Sequence, residues 1–194
     1  MSAQPRTARG TATRERIVEV ATREFAEYGI AGARVERIVA EASTNKAQLY
    51  GYFGSKEKLF DTIFTASLDQ IVDAVPIGPD LADWAVRLYD RYLLRPDLIR
   101  LATWARLERR PAGHLVENAM ERTGHKLDAI VAEQEAGTVR PGEPFDLMAM
   151  VIAMSMAWSP VSNVYAATAG EAAEVHERRR GLLRESVRRA VAAG

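Results

Sequence analysis

Glycine and proline cut this chain into stretches that each repeat their apolar residues every three to four positions, the period of a helix laid against a core. Period-two alternation rich in Val, Ile and Thr, the mark of a strand, is missing. The pattern predicts an all-α fold of about nine helices. A first helix is expected to begin near Thr11 or Thr13 as N-cap, to turn Ile17, Val20, Ala21, Phe25 and Tyr28 inward, and to stop at Gly29. A short second helix carries Val35, Ile38, Val39 and Ala42 on one face. A short third follows, capped by Thr44 or Asn45, with Leu49 and Phe53 inward and Gly54 at its end. Ser55 then caps a fourth helix from about 56 to 74. Breaks at 76–80, 95–97, 109–113, 137–144 and 168–170 mark off five more. Two short helices joined by a tight turn, with a supporting helix before them, form the helix-turn-helix pattern. The domain division read from this is 1–55 and 56–194, with no long linker between them and the fourth helix as a rigid connector.

Composition removes several classes of function. Without cysteine there is no disulfide, no thiolate nucleophile and no Cys-ligated metal. The start, "MSAQPRTARG", has no apolar stretch of the kind a secretory signal needs, and "LMAMVIAMSMAWSPV" at 147–161 is too short and too interrupted to span a bilayer. The expectation is a cytoplasmic chain with no membrane partner. No HExxH, P-loop, dinucleotide glycine pattern or GxSxG is present, so neither an enzyme nor a cofactor is expected. His114, Glu117, Glu121 and His125 share one face of the expected seventh helix. The two histidines there would stand about 16 Å apart at the helical rise, too far to share an ion, so that face is read as solvated and no metal is expected. Net charge is zero, yet residues 1–60 hold ten Lys+Arg against seven Asp+Glu. Local excess, not the sum, is what a phosphate backbone meets.

The segment "STNKAQLYGYFGSKEKLF", 43–60, interleaves aromatic rings and cations. Leu49 and Phe53 are four apart and share a face, which leaves Thr44, Asn45, Lys46 and Gln48 outward at the helix N-terminus. A recognition helix touches base edges with those positions. Gln48 can pair bidentately with adenine, and Lys46 can reach guanine or a phosphate. Lys56 adds charge at a helix start that already favours an anion. Arg6, Arg9 and Arg14 can extend along the backbone or into the minor groove, or remain a solvated tail.

These residues resemble the TetR-type bacterial transcription regulators. The likeness runs from about Arg14 to Phe60 and is carried by "RERIVEVATREFAEYGI", "VERIVAEA" and above all "NKAQLYGYFGSKEKLF". The chain departs from the family pattern at Val39, where alanine is usual, at Ser43, where glycine is usual, and at Arg34, which replaces a Ser/Thr cap and can offer a phosphate contact instead. The resemblance implies that Tyr50 and Tyr52 donate their hydroxyls to phosphates. It implies a homodimer on a palindromic double-stranded DNA operator, and a small-molecule effector bound among the later helices. Trp84, Tyr89, Tyr92, Trp104 and Met120 lie on helices five to seven, where that cavity would be, although aromatics at helical spacing also simply fill cores. The apolar eighth helix, with Met148, Met150, Met154, Met156 and Trp158, needs burial on most sides. The last helix carries an apolar stripe of Val175, Leu182, Leu183, Val187, Ala190 and Val191. The two can pair with a symmetry mate in a four-helix bundle. The reading is a ligand-responsive dimeric repressor. The alternative is a ligand-binding or protein-interaction module of the same fold without specific operator binding.

Overall fold

The helices fall between the glycine and proline breaks, in a computed structural model that describes residues 8–116 and 119–193, with backbone alone for 69–73 and 119–120. In order they are α1 (Ala8–Gly32), α2 (Val35–Glu41), α3 (Lys46–Phe53), α4 (Lys56–Ala74), α5 (Leu81–Leu94), α6 (Pro96–Glu108), α7 (Ala119–Glu135), α8 (Pro144–Ser155) and α9 (Ala173–Val191). The β-structure among the described residues is one isolated antiparallel bridge, Val139 to Ala192. No helix there is long and apolar enough to cross a membrane.

The chain forms two units. One runs as far as Gln70 and includes Arg100–Leu115; the other combines Ile71–Ile99 with the residues from Val116 onward. The unit holding the helix-turn-helix therefore continues past residue 55, taking in most of α4 and the second half of α6. The chain passes between units inside these two helices and once more between Leu115 and Val116, after α6.

In the first unit, Ile17, Ala21 and Phe25 of α1, Ile38 of α2, Leu49 and Phe53 of α3 and Leu59, Phe60 and Ile63 of α4 form the core. Phe25 meets Phe60 edge-on at 5.3 Å between ring centroids, and Phe60 stacks on Phe64 at 5.7 Å, offset geometries that aromatic quadrupoles favour. In the second unit α5 packs on α8 and α9, and α7 on α8. Leu81, Trp84, Ala85, Leu88, Tyr89 and Tyr92 make the buried stripe of α5. Asp80 starts that helix by accepting from the N–H groups of Ala82 (2.8 Å) and Asp83 (3.1 Å).

Several boundaries differ from the sequence reading. α1 begins at Ala8, earlier than Thr11 or Thr13, because the Thr13 hydroxyl bonds back to the Arg9 carbonyl at 3.0 Å within the helix instead of capping it. Gly29 breaks α1 as expected, with φ +72°, yet the chain resumes helical turns to Gly32. α8 ends at Ser155, which leaves Met156 and Trp158 beyond it. Its Ala149, Met150 and Ala153 are exposed, so this helix has one uncovered apolar side. On α9 the inward stripe is His176, Arg179, Leu183, Val187 and Val191, while Leu182 points out at 55% exposure. His114 precedes α7 and so does not share a face of that helix with Glu121 and His125; Glu117 lies outside the described residues.

The turn between α2 and α3 closes as a Schellman motif. Ser43 N–H reaches the Ala40 carbonyl at 3.3 Å and Thr44 N–H the Val39 carbonyl at 2.9 Å. This requires a left-handed residue, and Ser43 takes it at φ +50°. A side chain there costs about 1 kcal/mol that glycine avoids. Ser43→Gly is therefore expected to stabilise the first unit by about 0.5–1 kcal/mol, read as a higher denaturation midpoint; a lower midpoint would show that the serine side chain has a stabilising role of its own.

Candidate nucleic-acid interface

The outward side of α3 is built from its N-terminus. Asn45 is the N-cap, its side-chain oxygen accepting from the Gln48 N–H at 2.9 Å. Of the two residues whose type suits the cap, Thr44 and Asn45, the helix thus uses Asn45. The Thr44 hydroxyl donates instead to the side-chain carbonyl of Gln48 at 2.5 Å. Leu49 (0% exposed) and Phe53 (3%) anchor the opposite side. Thr44, Asn45, Lys46 and Gln48 are thus held at one end of the helix by the burial of the two core residues and by the cap.

The Lys46 ammonium meets the Glu36 carboxylate of α2 at 2.5 Å, both side chains more than half exposed. Hydrogen bonding to Lys46 is the main cause holding the Glu36 carboxyl below the usual range, and the same contact pushes Lys46 up. An ion pair this open contributes little to stability and gives way easily to a phosphate or a base. Glu36 is the residue that sequence reasoning missed here; nothing in its spacing pointed to Lys46.

Lys56 stands where the chain passes from helix-turn-helix to α4. Its ammonium donates to the carbonyls of Ala31 (3.3 Å) and Ala33 (3.2 Å). An ammonium has three donors, and this lysine uses two of them to tie down the α1–α2 corner. Tyr50 is 42% exposed, and Tyr52 leans edge-on to Phe53 at 6.2 Å. Arg9 and Arg14 belong to α1 rather than to an extended arm, and the Arg14 guanidinium lies 5.2 Å from the Phe53 ring centroid. Arg6 lies outside the described residues.

The absent Ser/Thr cap of α2 has a replacement. The N–H of Arg34, the N-cap residue, donates to Glu24 of α1 at 2.8 Å, and Arg37 pairs with the same carboxylate at 2.5 Å while covering the Tyr28 ring at 4.2 Å. The Arg34 side chain, freed from capping, is exposed. Glu24 was detectable as a charge on the inward stripe beside Ala21 and Phe25, where burial (8% exposed) demands partners. Glu24→Ala removes the acceptor of the Arg34 N–H and the ion-pair partner of Arg37, and is expected to cost the first unit about 1–3 kcal/mol in denaturant titration. Glu24→Gln, which keeps an acceptor, should cost less.

The second half of α6 is bolted to the break in α1. The Glu108 carboxylate accepts from the N–H of Ile30 and of Ala31, both at 2.9 Å. Arg100 donates to the Ala26 carbonyl at 2.7 Å and Trp104 to the same oxygen at 3.3 Å. Trp104, whose aromatic ring made it a pocket candidate, thus belongs to the first unit and packs on Gly29.

The other pocket candidates sit in the second unit. Trp84, Tyr89 and Tyr92 are buried in its core. Trp84 donates its indole N–H to the Val75 carbonyl at 3.0 Å, and the Lys126 ammonium lies 5.5 Å from its ring centroid. The Tyr89 hydroxyl meets Nδ1 of His176 at 2.7 Å, and Ser155 meets the Tyr92 hydroxyl at 3.4 Å. Burial is the main cause pushing the Tyr92 phenol up. Arg179 pairs with Glu171 at 2.9 Å and faces the rings of Trp158 and Tyr165. His176 Nε2, Arg179 Nη1 and Ser159 Oγ are buried without a hydrogen bond among the described residues. The side chain of Met120 lies outside the described residues. His176 and Arg179 were not legible as site candidates, because a polar residue on the inward side of a helix shows only once its packing partners are known.

Comparison with known proteins bears on both units. Residues 17–63 match the family described as bacterial regulatory proteins, tetR family, and residues 80–189 match the tetracyclin repressor-like C-terminal domain. The HTH-type transcriptional repressor SCO4008 of Streptomyces coelicolor is 38% identical over 148 residues, 74% of this chain and 77% of that protein. The crystal structure of the transcriptional regulator SCO4942, also from Streptomyces coelicolor, superposes with a TM-score of 0.76 at 33% identity, covering 94% of this chain and 99% of that one. A regulator from Saccharomonospora viridis crystallised in complex with choline shares the fold at TM-score 0.64 and 18% identity, over 94% of this chain and 98% of that one.

Proposed function

We propose, from the premise that this chain belongs to the tetR family of bacterial regulatory proteins, that it works in the cytoplasm as a homodimeric repressor, binding a palindromic operator and releasing it when a small organic effector enters its second unit. The carrying observation is the N-terminus of α3. Thr44, Asn45, Lys46 and Gln48 are presented together by a helix whose other side is locked by Leu49 and Phe53. Arg34 at the start of α2, Tyr50 and Tyr52 in the later half of α3 and Lys56 at the start of α4 position the helix by phosphate contacts, which fix register without reading sequence. Two copies related by a twofold axis would enter successive major grooves about 34–36 Å apart.

Dimerisation is supported by the uncovered sides of α8 and α9. Ala149, Met150 and Ala153 on one, and Gly181 and Leu182 on the other, are exposed and either apolar or small enough for close helix approach. The effector reading rests on Trp84, Tyr89 and Tyr92 and on the unpartnered buried atoms of His176, Arg179 and Ser159. The fold shared with the choline-bound regulator is one that can hold a small organic molecule. The effector's leverage over DNA equals its differential affinity for the two conformers, and it reaches the DNA-binding helices along α4 and α6, where the chain passes between units.

The test is a titration of labelled duplex from the chain's own upstream region against random duplex at moderate salt. A repressor prefers the upstream DNA, and its affinity falls steeply as salt rises. Equal binding to both would defeat the repressor reading in favour of a binding module of the same fold.

A further inference from the structure

We propose that Thr44 is a positioning residue that sets the hydrogen-bonding face of Gln48, so that the tip of the recognition helix offers donors to the groove and selects guanine over adenine; this rests on the operator-binding reading above. A carboxamide carries both an acceptor oxygen and a donor nitrogen, and a free glutamine uses the two together on adenine, accepting from N6–H and donating to N7. Here the oxygen of Gln48 is already engaged by the Thr44 hydroxyl at 2.5 Å. The residue is held a second time, through its backbone N–H, by the Asn45 side-chain oxygen at 2.9 Å. That second bond also engages the acceptor of Asn45.

The consequence is uniform along the tip. Gln48 is left with its NH₂, Asn45 with its NH₂, and Lys46 is a donor by nature. The neighbouring carboxylate, Glu36, pairs with Lys46 in the DNA-free protein, an open contact that the lysine can leave for a base. A surface of donors meets two acceptors on the major-groove edge of guanine, N7 and O6, but only one, N7, beside a competing N–H₂ donor on adenine. Cytosine presents its N4–H₂ donor and is disfavoured. A carbonyl oxygen keeps a second lone pair, so the selection is one of degree, about tenfold per symmetric position, within the range a good base contact provides. Thr44 has no need to touch DNA to have this effect.

The experiment is selection of bound sequences from a randomised duplex library by the full chain and by Thr44→Val, Thr44→Ser and Gln48→Ala. Valine keeps the shape of threonine and loses the hydroxyl; serine restores it. The expected result is a wild-type motif with guanine at one symmetric pair of positions. Thr44→Val shifts that pair towards adenine by about tenfold, Thr44→Ser retains guanine, and Gln48→Ala loses preference at the same pair only. Identical base preferences for wild type and Thr44→Val would overturn the proposal, as would effects of Thr44→Val and Gln48→Ala at different positions. If the wild type enriches a motif without guanine at the position that Gln48→Ala relaxes, the proposal fails while the repressor reading stands. If it enriches no motif at all, both fail.

Discussion

Gly29→Ala is expected to lower the stability of the first unit by about 2–5 kcal/mol, the sum of a left-handed backbone penalty and overpacking. A Cβ at this position would stand 2.6 Å from the Glu108 carboxylate oxygen and 2.9 Å from two carbons of the Trp104 ring, at a backbone φ of +72°. The variant must either push α6 off the corner or refold the break, and either move loosens the two N–H bonds that Glu108 accepts from Ile30 and Ala31. Gly51→Ala is the matched control. Its Cβ meets nothing within 4 Å, and it lies inside α3, so the substitution should stabilise by up to about 1 kcal/mol. Denaturant titration of both, followed by hydrogen exchange across residues 26–33, checks the pair. A Gly29→Ala chain as stable as wild type would show that α1 can close without this corner.

The double substitution Met150→Glu, Leu182→Glu is expected to convert a dimer into a monomer. Both side chains are exposed within one chain, at 36% and 55%, so neither change disturbs the core of the second unit. In a twofold bundle the same changes bury like charges against one another, an arrangement that costs far more than the contact is worth. Losing the second recognition helix also removes the benefit of bivalent binding, and affinity for a palindromic operator should fall by about 10²–10⁴-fold. Light scattering reports the first effect and operator titration the second. A variant that stays dimeric would place the dimer interface on some other surface.

Much of this fold can be read from the sequence because punctuation and period agree. Gly54 and Ser55, for example, end one helix and start the next within two residues, and α3 ends and α4 begins at that point. Leu49 and Phe53, four apart, had to share a face whatever else packed on them. Three things were hidden, each for a physical reason. Glu24 accepts from the N–H of Arg34, ten residues later at the start of α2, and Glu108 serves N–H groups seventy-eight and seventy-seven residues away; only the folded chain brings such partners together. Trp104 carries the same aromatic signal as Trp84, and periodicity cannot tell which unit a helix that spans two will serve. The second-unit candidates were recognised as aromatic, but their polar partners on α9, His176 and Arg179, lie in a stretch whose sequence reads as a charged surface helix.

The interface on α3 shows the same limit at finer grain. Residue types identify Gln48 and Lys46 as candidates to touch DNA, and both are exposed at the helix tip. Their hydrogen-bonding state depends on Thr44 and Glu36, one before the helix and one on its neighbour. Residue type alone gives Gln48 to adenine; the bond from Thr44 argues for guanine.

The most direct test of the central claim is hydroxyl-radical footprinting of the full chain on its own upstream DNA. A twofold dimer reading two major grooves protects two symmetric half-sites centred about 34–36 Å, one helical turn, or a whole multiple of that apart. One isolated protected site, or protection spread evenly along the duplex, would contradict it.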